Sequence, residues 1–78
     1  MVTVHMGLNT QPGDKNWENL VEQFRQAVEE HGEAEASWSC IGRTRHEFQA
    51  ISLMKALPQF NFTIEGYTCI ARKVEEQR

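Results

Sequence analysis

The stretch Asp14-Lys15-Asn16-Trp17-Glu18-Asn19-Leu20-Val21-Glu22-Gln23-Phe24-Arg25-Gln26-Ala27-Val28-Glu29-Glu30-His31-Gly32 decides the fold. Its apolar residues Trp17, Leu20, Val21, Phe24, Ala27 and Val28 recur three and four positions apart. On a helix of 3.6 residues per turn that spacing gathers them into one stripe. Glu18, Glu22, Glu29 and Glu30 fall on the other side, relieved by Arg25. Asp14 or Asn16 has the short polar side chain that caps a helix start. Gly32 accepts the left-handed conformation that ends one. The spacing predicts an amphipathic helix, apolar towards a core and acidic towards solvent.

On either side of this helix the period changes from 3.6 to 2. In residues 2–7, Val2, Val4 and Met6 alternate with Thr3 and His5, and in residues 34–42, Ala34, Ala36, Trp38 and Cys40 alternate with Glu35, Ser37, Ser39 and Ile41. Alternation of this kind marks half-buried strands. Residues 7–13 supply turn chemistry, with Pro12-Gly13 the clearest break.

Further on, a second helix is predicted over residues 45–57. Thr44 and Glu47 have the spacing of a capping box, and Pro58 prevents continuation. Phe48, Ile51, Met54 and Leu57, with Ala50 and Leu53 beside them, form its expected apolar face. Residues 60–74 are strand-like around Glu65-Gly66, where glycine suits a tight hairpin turn. A turn at those two residues pairs Ile64 with Tyr67, Phe62 with Cys69 and Phe60 with Ala71, all on one face. One bulged strand is the alternative.

The expected fold is α+β in the order β-α-β-α-β-β, a four-stranded sheet with two helices packed on one face, and a single domain over residues 1–78. Val2, Val4, Met6, Trp38, Cys40, Phe60, Phe62, Ile64 and Tyr67 are expected to point inward. The opposite face is mostly short and polar. Ile41 and Ile70 are the apolar exceptions on it, and they are the candidate seam of a homodimer.

The 78 residues include 40% hydrophobic and 24% charged side chains, the proportions of a folded globular chain rather than a disordered one. The start lacks the pattern of a secretory leader, and no apolar run approaches the ~20 residues of a membrane span. A reduced, cytoplasmic setting is therefore expected for Cys40 and Cys69, with no membrane association. The net charge of -3 argues against general nucleic-acid binding. That charge is unevenly spread. Residues 14–35 carry seven acids and two bases, a net of -5; residues 36–73 carry two acids and five bases, a net of +3; residues 74–78 add -1. The two halves are suited to partners of opposite sign.

Arg43, Thr44, Arg45 and His46 are the most pointed candidate site. A helix start presents unpaired N–H groups and the positive end of the helix dipole, and two arginines beside it suit a phosphate or carboxylate. The plainer reading of the same residues is a capped helix start whose arginines are solvated or paired with the acidic first helix, and they do not form a Walker loop. Among possible metal ligands, Cys40, Cys69, His5, His31 and His46 contain no local Cys-x-x-Cys or His-x-x-x-His pair, so no metal or cofactor is expected. Cys40 with His46 has the residue types of a thiol nucleophile and base, but nothing in their spacing brings them together. No catalytic residue is assigned.

In size, acidity and lack of a catalytic motif, though in nothing more specific, the chain resembles small regulators such as phage-encoded inhibitors of host machinery. The expectation is a non-enzymatic regulator or inhibitor that binds a protein partner through charged patches: Glu18, Glu22, Glu29 and Glu30 as an acidic face, or the basic cluster at Arg43–His46. The alternative is a phosphate- or carboxylate-binding domain, or a minor enzyme, with its anion site at the start of the second helix.

Overall fold

The computed structural model describes residues 1–6, 13–38 and 43–74, with side chains from 47 onward in the last segment. Six elements follow one another: β1 (Val2–His5), α1 (Lys15–His31), β2 (Glu33–Ser37), α2 (Arg43–Ala56), β3 (Phe60–Glu65) and β4 (Thr68–Lys73). This is the α+β order expected from the sequence. The strands form one sheet in the order β1-β2-β4-β3. β1 and β2 are parallel, while β4 runs antiparallel to both β2 and β3. Two crossovers, β1-α1-β2 and β2-α2-β3, thus advance across the sheet in the same direction. The right-handed rule for such crossovers puts both helices on one face.

The helix α1 forms where the apolar stripe lies. Trp17, Phe24 and Val28 are buried, with Leu20, Val21 and Ala27 packed against the core. Asp14 occupies the N-cap position in an extended conformation but makes no side-chain capping bond. Gly32 ends the helix at φ +83°, donating its N–H to Val28 O at 2.8 Å. A residue with a Cβ is strained at that φ.

Val2, Val4, Ala34, Ala36, Cys69, Ala71, Phe60, Phe62 and Ile64 share the inward face by strand register. The two central strands bury only small side chains there, Ala34, Ala36, Cys69 and Ala71, each without exposed area, and exposed Lys73 ends the row opposite Phe60. Larger groups come from the helices and the flanks: Phe24 of α1 stacks on Phe62 of β3 with ring centroids 6.4 Å apart. Small residues along the middle of the sheet leave room for the bulk of α1.

Three expectations are corrected. The strand expected over 34–42 is Glu33–Ser37; Trp38, just past its end, keeps the ladder with Tyr67 through a 3.0 Å bond from its N–H to Tyr67 O. Cys40 and Ile41 lie outside the described residues, as do residues 7–12 of the first turn. The segment 60–74 is a hairpin, but its turn is Gly66-Tyr67 and not Glu65-Gly66. Phe60 faces Lys73, Phe62 faces Ala71 and Ile64 faces Cys69. Gly66 takes φ +57°, and among the described residues no other residue type has positive φ, which suits a turn with glycine at its first central position. Tyr67 consequently leaves the inward face and is 47% exposed. The two registers differ by two residues, so every strand position keeps its face.

The third correction concerns α2. It begins at Arg43, two residues before its expected start, so Thr44 stands inside the helix and not at its cap. From residue 47 onward its buried positions are Gln49, Ala50 and Leu53, with Leu57 buried just past its end, whereas Phe48 is 60% and Ile51 51% exposed. The helix is rotated away from the expected stripe. Gln49, 1% exposed, accepts a hydrogen bond from Trp38 Nε1 at 2.7 Å. An indole N–H in a core needs an acceptor, and Gln49 provides one only with this phase of the helix.

Replacing Gln49 with Leu removes that acceptor and is expected to destabilise the protein by about 1–3 kcal/mol in denaturant unfolding. The double variant Trp38→Phe with Gln49→Leu should lose less than the sum of the two single changes. Strict additivity would show that the bond does not set the helix phase.

Candidate functional site

Two surfaces carry the candidate residues. The first is the solvent side of α1. Glu18, Glu22, Glu29 and Glu30 are all exposed, as the spacing predicts. At 1.5 Å rise per residue, Glu18 and Glu29 stand about 16 Å apart along the axis, with Glu22 on the same stripe and Glu30 about a quarter-turn away. The acids are not bare. Arg25 pairs with Glu22, donating from Nε at 3.0 Å and from Nη2. That bond holds the Glu22 carboxyl below its ordinary range and the Arg25 guanidinium above its own. Lys73 of β4 reaches Glu29 at 3.7 Å, and His31 stands 3.9 Å from Glu30. Arg25 is thus not the sole relief on this face, since β4 supplies a second cation that the linear charge pattern does not reveal. Such exposed pairs contribute about 0–1 kcal/mol each. Among the described residues, Glu18 makes no ion pair.

The second surface is the start of α2. The helix bounds place Arg43, Thr44, Arg45 and His46 together in its first turn, with no acid among them. Two arginines at the positive end of a helix dipole oppose it, and a bound anion would offset that conflict. The side chains of these four residues lie outside the description, and with them the pairing of Cys40 with His46.

The outer face of the sheet is polar. Thr3 donates to Glu35 at 3.4 Å, and Arg72 bonds Glu33 at 3.1 Å. Ile70 points to this face, between Glu35 and Thr63 in the register. It is only 8% exposed, so its polar neighbours already cover most of it. Half of the expected dimer seam therefore offers little apolar area, and the other half, Ile41, is not described. An open hollow of about 430 Å³ is lined by Met1, Val2, His31 and Glu33 at the far end of the sheet.

Cys69, without exposed area, has its thiol pushed up to about 11 by burial. Among the described residues, no group of three or more His, Cys, Asp or Glu could hold a metal ion, and no helix is long and apolar enough to cross a membrane. Linear spacing missed the outward pair Phe48 and Ile51. The signal that finds them is the need of buried Trp38 for a polar partner one position away, at Gln49.

The thiol yields a test. A group whose folded value lies above its unfolded one adds stability that is complete below the ordinary thiol value of 9.0 and is lost as pH rises through about 11. Near pH 8 the folded thiol is almost wholly protonated. In a Cys40→Ser background, modification of Cys69 by a thiol reagent should be slower in the folded protein than in denaturant by about 100-fold or more. Equal rates would place the thiol in solvent. Comparison with protein-family models, curated proteins and solved structures finds no match to this chain.

Proposed function

We propose that this chain is a small non-enzymatic protein-binding domain, a regulator or inhibitor, that meets a basic partner with the acidic face of α1. The observation that carries the reading is the placement of Glu18, Glu22, Glu29 and Glu30: all are exposed, and their helix turns its opposite stripe into the core. The helix is held rigidly by that buried stripe, so the carboxylates are presented without ordering a loop. Electrostatic complementarity of this kind speeds encounter and excludes partners of the wrong sign.

Glu18→Lys with Glu30→Lys reverses the two acids that no arginine or lysine holds among the described residues. Immobilised wild-type protein is expected to retain a basic protein from a lysate of the organism that encodes it. The double variant should lose that protein while keeping its circular dichroism spectrum. Retention that is the same for both forms, or absent from both, sinks the acidic-face reading.

A second reading, anion binding at the first turn of α2, is favoured by the acid-free basic composition of that turn. It predicts saturable amide shifts at residues 43–47 on titration with inorganic phosphate, lost in Arg43→Ala with Arg45→Ala. A silent titration removes it.

A further inference from the structure

The outward side of α2 has a composition unlike that of a solvated helix face. Phe48 is 60% exposed and Ile51 51% exposed, on a helix already anchored to the core by Gln49, Ala50 and Leu53 and by Leu57 just past its end. Glu47 and Lys55 are exposed and Met54 is half-buried on the same arc. Lys55 makes no ion pair among the described residues. These residues are arranged symmetrically about Ile51. Phe48 and Glu47 stand three and four positions before it, and Met54 and Lys55 stand three and four positions after it.

We propose that this stripe is a self-association surface, on which two copies of the chain pack α2 against α2 in antiparallel fashion about a two-fold axis at Ile51. A two-fold contact must be self-complementary, each patch meeting its own copy. Here Ile51 meets Ile51. At either end, Glu47 and Phe48 of one copy meet Met54 and Lys55 of the other. Each end therefore joins an acid to a base beside an aromatic-to-thioether contact, and Phe48 also lies against the methylene stem of the opposing lysine.

Like charges stay apart. Glu47 and its symmetry mate are separated by about 12 Å along the axis, as are the two lysines, at 1.5 Å per residue. A parallel arrangement would instead set Glu47 beside Glu47 and Lys55 beside Lys55, so charge selects the antiparallel copy. A different protein would need an independently matched stripe, which a second copy of this chain already possesses. The patch is short, about two helical turns, which places the dimer in the weak, concentration-dependent class. It lies on a different helix from the acidic face of α1, so either surface can fail without the other.

Sedimentation equilibrium of the full chain from about 10 µM to 1 mM tests this. The wild type is expected to shift from monomer to dimer across that range. Ile51→Glu, which buries a charge at the axis, should remain monomeric throughout. Lys55→Glu sets acid against acid at both ends and should weaken association by about tenfold. Adding Glu47→Lys to it exchanges the charges and should restore wild-type association to within about threefold. Thermal melts of each variant establish that the fold persists. A wild type that stays monomeric at 1 mM overturns the proposal. So does a dimer that Ile51→Glu leaves intact, or a charge exchange that associates no better than Lys55→Glu alone.

Discussion

The bond from Trp38 Nε1 to Gln49 Oε1, 2.7 Å long and buried, ties the two halves of this domain together. Trp38 belongs to the end of the β1-α1-β2 unit, and Gln49 to the helix that leads into the hairpin. Dispersion among apolar groups has no direction and tolerates a rotated helix. A buried donor does not, because losing its acceptor costs about 1–3 kcal/mol. The bond is therefore suited to fix the angle of α2 about its own axis, which apolar packing alone leaves undecided. From that angle follows which apolar residues enter the core and which face water.

The centre of the sheet imposes the complementary constraint. With only alanines and Cys69 buried on the inward side of β2 and β4, the sheet itself offers little to pack. Bulk has to arrive from α1, from Trp38, and from Phe60 and Phe62 on the outermost strand of the hairpin. The Phe24–Phe62 stack shows how far α1 reaches, from the parallel pair across to β3. At the far end, Lys73–Glu29 and Arg72–Glu33 bridge β4 to the segment around Gly32, and Lys73 N–H bonds Gly32 O at 3.0 Å. The glycine that stops α1 is thereby also held by the last strand.

Those constraints explain what could be read from the sequence. Helix α1 is legible because one stripe holds all its apolar residues and the opposite side holds acids, so only one rotation buries the first and exposes the second. β1 and the inward alternation of β2 are legible for the same reason in period 2. The hairpin register differs by two residues from the one the Glu65-Gly66 signal predicts, yet every strand position keeps its face, because a shift of two conserves parity. Only the turn residues change role: Tyr67 passes from strand to turn, and Glu65 from turn to strand. Helix α2 is the real ambiguity. Phe48-Ile51-Met54 and Ala50-Leu53, the latter continued by Leu57 just past the helix end, are rival stripes, and hydrophobic periodicity cannot rank them. The tie is broken by a polar contact between residues eleven apart, which no periodicity contains. On the acidic face the carboxylates are legible, but their partial neutralisation by Lys73 is not, since that cation arrives through the strand order.

The same ambiguity bears on what the surface is for. A helix that merely covered a sheet would be served by polar residues at 48 and 51, and isolated exposed apolar groups are common enough to need no account. Two large ones a single turn apart, flanked by an acid on one side and a base on the other at equal distances from Ile51, are a more ordered arrangement. It puts an apolar centre where water can be excluded and charges at the rim where they can stay hydrated, the usual layout of a protein contact. A domain of this size has little interior in which to house a site. The buried stripes of its two helices fix how their outer faces are displayed, one acidic and one apolar. If the apolar face joins two copies, the acidic face is presented twice, and a partner with repeated basic segments would bind more tightly than either face alone allows, without any new contact.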